Sequence, residues 1–237
     1  MPSPQGRAVI VGNSDGIGLA FTRRLLDAGW TVSGLSRSAS EIHHDRYTHE
    51  VVDVTGPEFP ASLTKAVADG VDLCVYAAGI GEFPDLDDLA AQTRTVDMNL
   101  MGAVRAVEVV VPQMVAAGRG HLVGLSSLAD AAVSRQAPAY SASKAGMSMY
   151  LRGLTLALRP HGVDVTTVRF GFFDTKMAKS PVKPGMVSVE KAVDVLMRAL
   201  RSRPATVSYP RRISAAVRVL SVVPAVQLWN NRRSRTP

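Results

Sequence analysis

Tyr140-Ser141-Ala142-Ser143-Lys144 sets a phenol and an ammonium four residues apart in a helical, apolar segment, and Ser127 lies thirteen positions earlier. Residues four apart share a helix face. An ammonium beside a phenol favours the phenolate, so a group with an ordinary pKa of ~10 can exchange a proton nearer neutrality. A serine hydroxyl beside them could hold a substrate carbonyl. Taken alone, Tyr140 and Lys144 suit an exposed helix surface equally well. Ser127 could simply end a strand, with Ser126 as its immediate competitor.

A second constellation lies near the start of the chain. Val11-Gly12-Asn13-Ser14-Asp15-Gly16-Ile17-Gly18 joins an apolar strand to a helix. Glycines permit a tight turn and leave no side chain between backbone and a pyrophosphate, while the helix N-terminus offers N–H groups and a partial positive charge. Gly12, Ser14, Asp15, Gly16, Ile17 and Gly18 are therefore the expected phosphate-side residues. The spacing Gly-x-x-x-Gly-x-Gly differs from Gly-x-Gly-x-x-Gly, and an ordinary tight turn is the alternative. Ser36-Arg37-Ser38, after the second strand, supplies a guanidinium and hydroxyls and no carboxylate. An arginine there suits the 2′-phosphate of NADP, whereas a carboxylate would bind the free hydroxyl of NAD, so NADP(H) is expected over NAD(H). Asp15 argues the other way if it lies near that phosphate, and Arg37 alone could be a solvated loop cation.

The elements that must position these residues alternate in type. Strands are expected over 8–11, 31–35, 49–54, 73–77, 121–125, 163–170 and 206–209. Helices are expected over 17–28, 59–68, 140–159 and 189–201, with one or two more across 86–117 and Ser188 as an N-cap. Alternating βα units with near-continuous apolar strands predict an α/β fold: a doubly wound, Rossmann-type parallel sheet of about seven strands with helices on both faces. Such a sheet binds ligands beyond the carboxyl ends of its strands, where the residues above fall. Residues 1–210 are expected to form one catalytic domain and 211–237 a basic helical extension.

At 237 residues and 46% apolar content, the chain suits a single α/β domain with a full core. Cys74 is the only cysteine and lies in an expected buried strand, which points to an inert thiol and a reducing, cytoplasmic setting. His43, His44 and His49 show no metal spacing and are read as solvated loop residues; no metal site is expected. No basic-then-apolar leader and no run of eighteen apolar residues is seen, so no transmembrane helix is expected. The net charge of +7 is concentrated at one end. Nine of the 27 basic residues follow Asp194 and no acidic residue does, leaving 18 basic against 20 acidic before it. A mildly acidic body does not support nucleic-acid binding by the fold.

Together these residues make the chain resemble the short-chain dehydrogenase/reductase family over about 7–210. Gly12, Gly16 and Gly18 fit its cofactor turn. Asp53 and Val54 fit its adenine-side position, Ala78-Gly79 the end of its fourth-strand motif, and Asn99, Ser127, Tyr140 and Lys144 its catalytic tetrad. Gly171, Phe173 and Thr175 fall in a stretch similar to the family's Pro-Gly-x-x-x-Thr, where the nicotinamide carboxamide is met, although Phe170 replaces the proline. Val11 replaces a threonine, and Tyr76-Ala77 replace paired asparagines that tie neighbouring strands. The resemblance implies hydride transfer between NADP(H) and a carbonyl or alcohol. In it Tyr140 exchanges the proton, Lys144 lowers the Tyr140 pKa and holds the ribose, Ser127 binds the substrate oxygen, and Asn99 holds a water leading to Lys144. It also implies a homodimer or homotetramer.

Residues 176–185 occupy the family's substrate-lid position, and Phe170, Phe172, Phe173, Met177 and Met186 suit a hydrophobic small molecule, or else pack into the core. In the extension, Arg211, Arg212 and Arg218 flank Ile213, Val217 and Leu220, with Trp229 further on. A basic amphipathic helix suits peripheral contact with an anionic membrane; it suits a lid or subunit contact as well, and disorder is the remaining reading. Alternatives for the whole chain are a catalytically idle NADP-binding regulator or scaffold, and an epimerase or dehydratase on the same fold.

Overall fold

Short apolar, β-branched segments such as Arg7–Val11 and Val163–Phe170 alternate with segments of helical period, and each pairs edge to edge with a neighbour distant in sequence. The computed structural model describes residues 6–171 and 188–221. In chain order the strands are β1 (Arg7–Val11), β2 (Thr31–Ser36), β3 (Tyr47–Val51), β4 (Leu73–Tyr76), β5 (Gly120–Ser127), β6 (Val163–Phe170) and β7 (Thr206–Tyr209). They form one seven-stranded sheet in the order β3-β2-β1-β4-β5-β6-β7, parallel throughout. Chain order reverses between β1 and β4, which opens the crevice where such sheets take their ligands.

The helices are α1 (Gly16–Asp27), α2 (Phe59–Ala66), α3 (Ala90–Val96), α4 (Gly102–Ala117), α5 (Pro138–Leu158), α6 (Val189–Ser202) and α7 (Arg211–Ser221). One apolar layer packs α2, α4 and α5 on the sheet through Phe59, Leu63, Val110, Met114, Met147 and Leu151. The other packs α1 and α6 through Phe21, Leu25, Val193 and Leu196. Both faces of the sheet are covered, as parallel sheets require.

Several expected boundaries move, each for a local reason. β3 spans Tyr47–Val51 and not 49–54, because its pairing with β2 ends at Ser36 against Val51. Val52 N donates to Ser36 O at 3.0 Å, and Val52 and Val54 then turn into the core beneath α2. α5 begins at Pro138, a proline in the first turn where its missing N–H costs nothing. Ser188 caps α6 as expected, accepting from Lys191 N at 3.4 Å. A π-helical turn, Asp97–Met101, joins α3 to α4 and makes one helical rod. That rod, Ala90–Ala117, is long and apolar enough by composition to cross a membrane. Here Ala103, Ala106, Val107, Val110 and Met114 pack it on the sheet as a layer of the domain. The extension begins as α7, which packs against β7 and the 3-10 turn Leu128–Ala131.

Candidate active site

The first βα turn is built for close backbone approach. Gly12 has φ +88°, and a Cβ there would stand 2.4 Å from Ala78 N. A Cβ on Gly18 would meet Gly12 O at 2.0 Å. Only bare backbone lets β1, β4 and α1 meet at this point, and the N-terminal N–H groups of α1 face the crevice's edge. Asp15 caps α1, its carboxylate accepting from Gly16 N at 2.7 Å. Ser14, Gly16 and Ile17 stay partly exposed beside it. Asn13 points the other way and is buried under β2, donating to Tyr47 Oη at 2.7 Å.

Ser36 ends β2, with Arg37 exposed just beyond it. His49 is not in a loop: it lies in β3, and its Nε2 meets Ser36 Oγ at 2.8 Å. Burial lowers its pKa. Asp53 follows β3 and folds its carboxylate back on the Thr55 N–H and hydroxyl at 2.9 and 2.8 Å, and Val54 is buried. These residues flank one side of the crevice; Ala78 and Gly79 lead from β4 into its centre.

The other expected residues converge. β5 carries Ser126 and Ser127 at its carboxyl end. Their side chains alternate: Ser126 Oγ bonds to Ser148 Oγ at 2.7 Å and to Lys144 O at 3.1 Å, leaving Ser127 facing Tyr140. Ser127 Oγ accepts from Ala129 N at 3.1 Å. α5 places the Tyr140 ring half-buried and Lys144 Nζ 5.9 Å from its centroid. Lys144 is buried and donates to Leu125 O at 2.8 Å. A Cβ on Gly79 would lie 3.1 Å from Asn99 Oδ1 and 3.3 Å from Lys144 Nζ, and one on Gly81 would lie 3.3 Å from the Tyr140 ring. The backbone at Gly79 and Gly81 therefore lies directly against Asn99, Lys144 and Tyr140, in space that side chains at those two glycines would fill.

Asn99 holds that backbone. Its Oδ1 accepts from Ile80 N at 2.8 Å, and its Nδ2 donates to Ile80 O at 2.9 Å and Ser143 Oγ at 3.0 Å. Asn99 sits in the π-helical turn, a distortion frequent at functional sites. The same turn is tied to the sheet by Tyr76, whose hydroxyl donates to Met98 O at 2.5 Å. Tyr76 thus supplies a tie of its own where paired asparagines were absent.

The electrostatics differ in one respect from the sequence expectation. Burial holds the Tyr140 phenol above its ordinary value; the Ser127 hydrogen bond works downward and the Asp130 charge upward. Burial brings Lys144 down to about 8. The expected lowering of the phenol by Lys144 is not seen beside the effect of burial; the amine donates to the Leu125 carbonyl. Cys74, as expected, is a core thiol, pushed up to about 12 by burial. Gly171 follows β6 beside the site, its N donating to Tyr209 O at 2.8 Å. Phe173, Thr175 and the 176–185 segment lie outside the described residues. Among the described residues no group of three or more potential metal ligands occurs. Sequence reasoning passed over Asp130 and Arg169, and named Tyr76 and His49 without their partners. Their partners lie far along the chain, and only Asp130, three residues after Ser127, carried a local signal.

Sheet order, glycine turn and crevice define a dinucleotide-binding α/β domain. The family model for short chain dehydrogenases matches residues 7–184, and the chain belongs to that family of nicotinamide-dependent oxidoreductases. An uncharacterized oxidoreductase of Myxococcus xanthus is 30% identical over 234 residues, 92% of each chain. A fatty acyl-CoA reductase of Acinetobacter baylyi is 28% identical over 83% of this chain and 73% of its own. A short chain dehydrogenase of Burkholderia cenocepacia, solved in complex with NADP, shares the fold at a TM-score of 0.83, with 22% identity over 100% of both chains.

Proposed function

We propose that this oxidoreductase transfers a hydride between NADP(H) and the carbonyl or alcohol carbon of an apolar small molecule. The observation that carries the reading is the convergence of Tyr140 and Lys144 on the backbone at Gly79 and Gly81, with Ser127 hydrogen-bonded to the Tyr140 phenol. A bound nicotinamide supplies the hydride. Tyr140, protonated at neutral pH because burial raises its pKa, gives its proton to the developing alkoxide. Ser127 donates to the same oxygen as charge forms there. Lys144, buried beside the ring, stabilises the phenolate left behind. Asn99 fixes the 79–81 backbone so that the lysine and the tyrosine keep their places.

Residues 12, 14–18, 36, 37, 53, 54, 78, 79 and 171 are proposed as the cofactor's contacts, with Phe173 and Thr175 from beyond the described residues. The exposed guanidinium of Arg37, beside Ser36 and His49, supports NADP(H) over NAD(H). An apolar substrate is supported by exposed Phe83, Leu86, Leu89 and Val133 in the loops flanking Tyr140, and by the relative named for acyl-CoA reduction. Exposed Met101, Met149 and Leu156 on the outer faces of the π-helical turn and α5 support a homodimer or homotetramer. α7, packed on the turn after Ser127, is read as a wall of the substrate side, and the enzyme as cytoplasmic. The arginine-rich, acid-free extension also suits peripheral membrane contact. Removing 211–237 should then abolish co-sedimentation with anionic liposomes, and unchanged binding removes that contact.

The decisive experiment follows NADPH and NADH oxidation in parallel across a panel of ketones and aldehydes. Turnover with NADPH is expected, and Tyr140→Phe, which keeps the ring and loses the proton, should reduce kcat by roughly 10²–10⁴-fold. Near-normal turnover by that variant would overturn the reading.

A further inference from the structure

Behind Ser127 lies a connected set of polar side chains that the proposed reaction does not use. Asp130 sits in the 3-10 turn after β5 with its side chain 5% exposed, and Arg169 lies in β6 with its side chain 15% exposed. The guanidinium grips the carboxylate with two arms: Nε donates to Oδ2 at 2.6 Å and Nη2 donates to Oδ1. Nη1 reaches Ser208 Oγ on β7 at 3.3 Å. From the other side, Ser148 of α5 donates to Asp130 Oδ2 at 2.6 Å. Ser148 Oγ is then left to accept from Ser126, whose Oγ lies 2.7 Å from it and 3.1 Å from the Lys144 carbonyl. One carboxylate thus joins β6 and, through Arg169, β7 to the helix that carries Tyr140 and Lys144.

A role in stability alone does not account for this choice of residues. Desolvating two charges offsets most of their attraction, and an apolar pair of similar volume commonly stabilises a fold as well or better. What a bidentate pair adds is fixed geometry. The place where that geometry acts is specific. Ser127 lies between Ser126 and Asp130 in sequence, and its Oγ accepts from Ala129 N, one residue before Asp130. Anchoring Asp130 therefore orients the Ser127 lone pairs and leaves its O–H for the crevice. The phenol is surrounded by Lys144 from its own helix, Ser127 from β5 and Asp130 from the turn, and Asp130 is faced by Arg169 from β6.

We propose that Asp130 and Arg169 are positioning residues for the reduction: their ion pair locks the Leu128–Ala131 turn against α5 and β6, so that the Ser127 hydroxyl and the Tyr140 phenol address the same substrate oxygen. This rests on the reading of Ser127 and Tyr140 given above. Asp130 also lies close enough to raise the proton affinity of the phenol, which gives the pair a signature that turnover alone does not.

The test uses Asp130→Asn and the double variant Asp130→Asn/Arg169→Met. The double variant leaves no lone buried guanidinium and keeps the test open should the single variant not fold. Folding is checked by circular dichroism and NADPH affinity by fluorescence titration. For folded variants the NADPH Kd and the carbonyl KM are expected to stay within about threefold while kcat falls on the order of tenfold or more, the loss typical of misaligned reacting groups. The Tyr140 phenol, read as phenolate absorbance of each protein minus its Tyr140→Phe counterpart, is expected to titrate at lower pH once the carboxylate is gone. A folded double variant with kcat within twofold of the parent, or a folded Asp130→Asn variant with an unmoved phenol titration, overturns the proposal. The titration needs no substrate. A parent inactive on every carbonyl would therefore count against the reductase reading, while an unmoved titration would count against the pair.

Discussion

At the residue scale, the chemistry turns on how burial divides the proton between two neighbours. Tyr140 is pushed up and stays protonated near neutrality, while Lys144 is brought down to about 8. The lysine is cationic below that value and neutral above it. Reduction, which leaves a phenolate beside the amine, is therefore expected to hold steady through pH 7 and to fall as pH rises through about 8. A kcat/KM profile in NADPH and a good ketone reads this limb. Lys144→Arg, which keeps its charge, should move the limb upward in whatever activity it retains. Arg37 gives a second residue-scale test. Its guanidinium is exposed and, among the described residues, has no ion-pair partner. Arg37→Ala is expected to raise KM for NADPH by about tenfold or more, the scale of one lost hydrogen bond to a charged group, with KM for NADH little changed. Equal effects on both cofactors would show that the guanidinium does not read the 2′-phosphate.

At the element scale, the π-helical turn is held by a match between two positions on different elements. Tyr76 of β4 donates to Met98 O, and a Cβ on Gly102, the first residue of α4, would stand 2.1 Å from the Tyr76 hydroxyl and 3.1 Å from Val54. Gly102→Ala must therefore push the tyrosine off its carbonyl or the helix off the sheet. It is expected to cost about 1–3 kcal/mol, the range for an overpacked core. It should also displace Asn99 and lower kcat, and Tyr76→Phe/Gly102→Ala should recover part of the loss in a thermal melt. This contact shows where the sequence was legible. Tyr140 and Lys144 share one helix, and the glycine turn is a single segment, so spacing alone brings their groups together. Ser127 was separated from Ser126 by the spacing of the family the chain resembles, and the strand turns their side chains apart. Tyr76 with Gly102, His49 with Ser36, and Asp130 with Arg169 are joined by packing between elements, and no local period encodes which residues will face each other. β3 starts two residues and ends three residues before its expected bounds for the same reason, since its ends are set by what β2 offers to pair with.

At the scale of the whole molecule, the sheet carries a buried titratable group at the end opposite the site. His121 opens the apolar run of β5, is fully buried, and bonds through Nε2 to Thr166 Oγ1 at 2.8 Å. Thr166 donates to Pro204 O at 2.6 Å, which leaves the threonine oxygen to accept from the imidazole. The other ring nitrogen, Nδ1, has no hydrogen-bond partner among the described residues. The neutral ring therefore carries its proton on Nε2. Protonating Nδ1 would put an unpaired N–H and a charge in the core. Burial, helped by Arg203, lowers the pKa from 6.5 to about 4, against a smaller upward pull from Asp164. The sign follows from proton binding: between those values the unfolded chain takes up a proton that the folded chain refuses. Stability is then unaffected above pH 6.5 and falls as pH drops toward 4, by up to about 3 kcal/mol once both values are passed. Carboxylates titrate in the same window, so the measurement is a difference. Urea melts at pH 7.5 and 4.5 are compared for the parent and for His121→Gln. The variant is expected to lose less stability on acidification than the parent. Parallel losses in the two proteins would show that the imidazole is not what weakens the fold in acid.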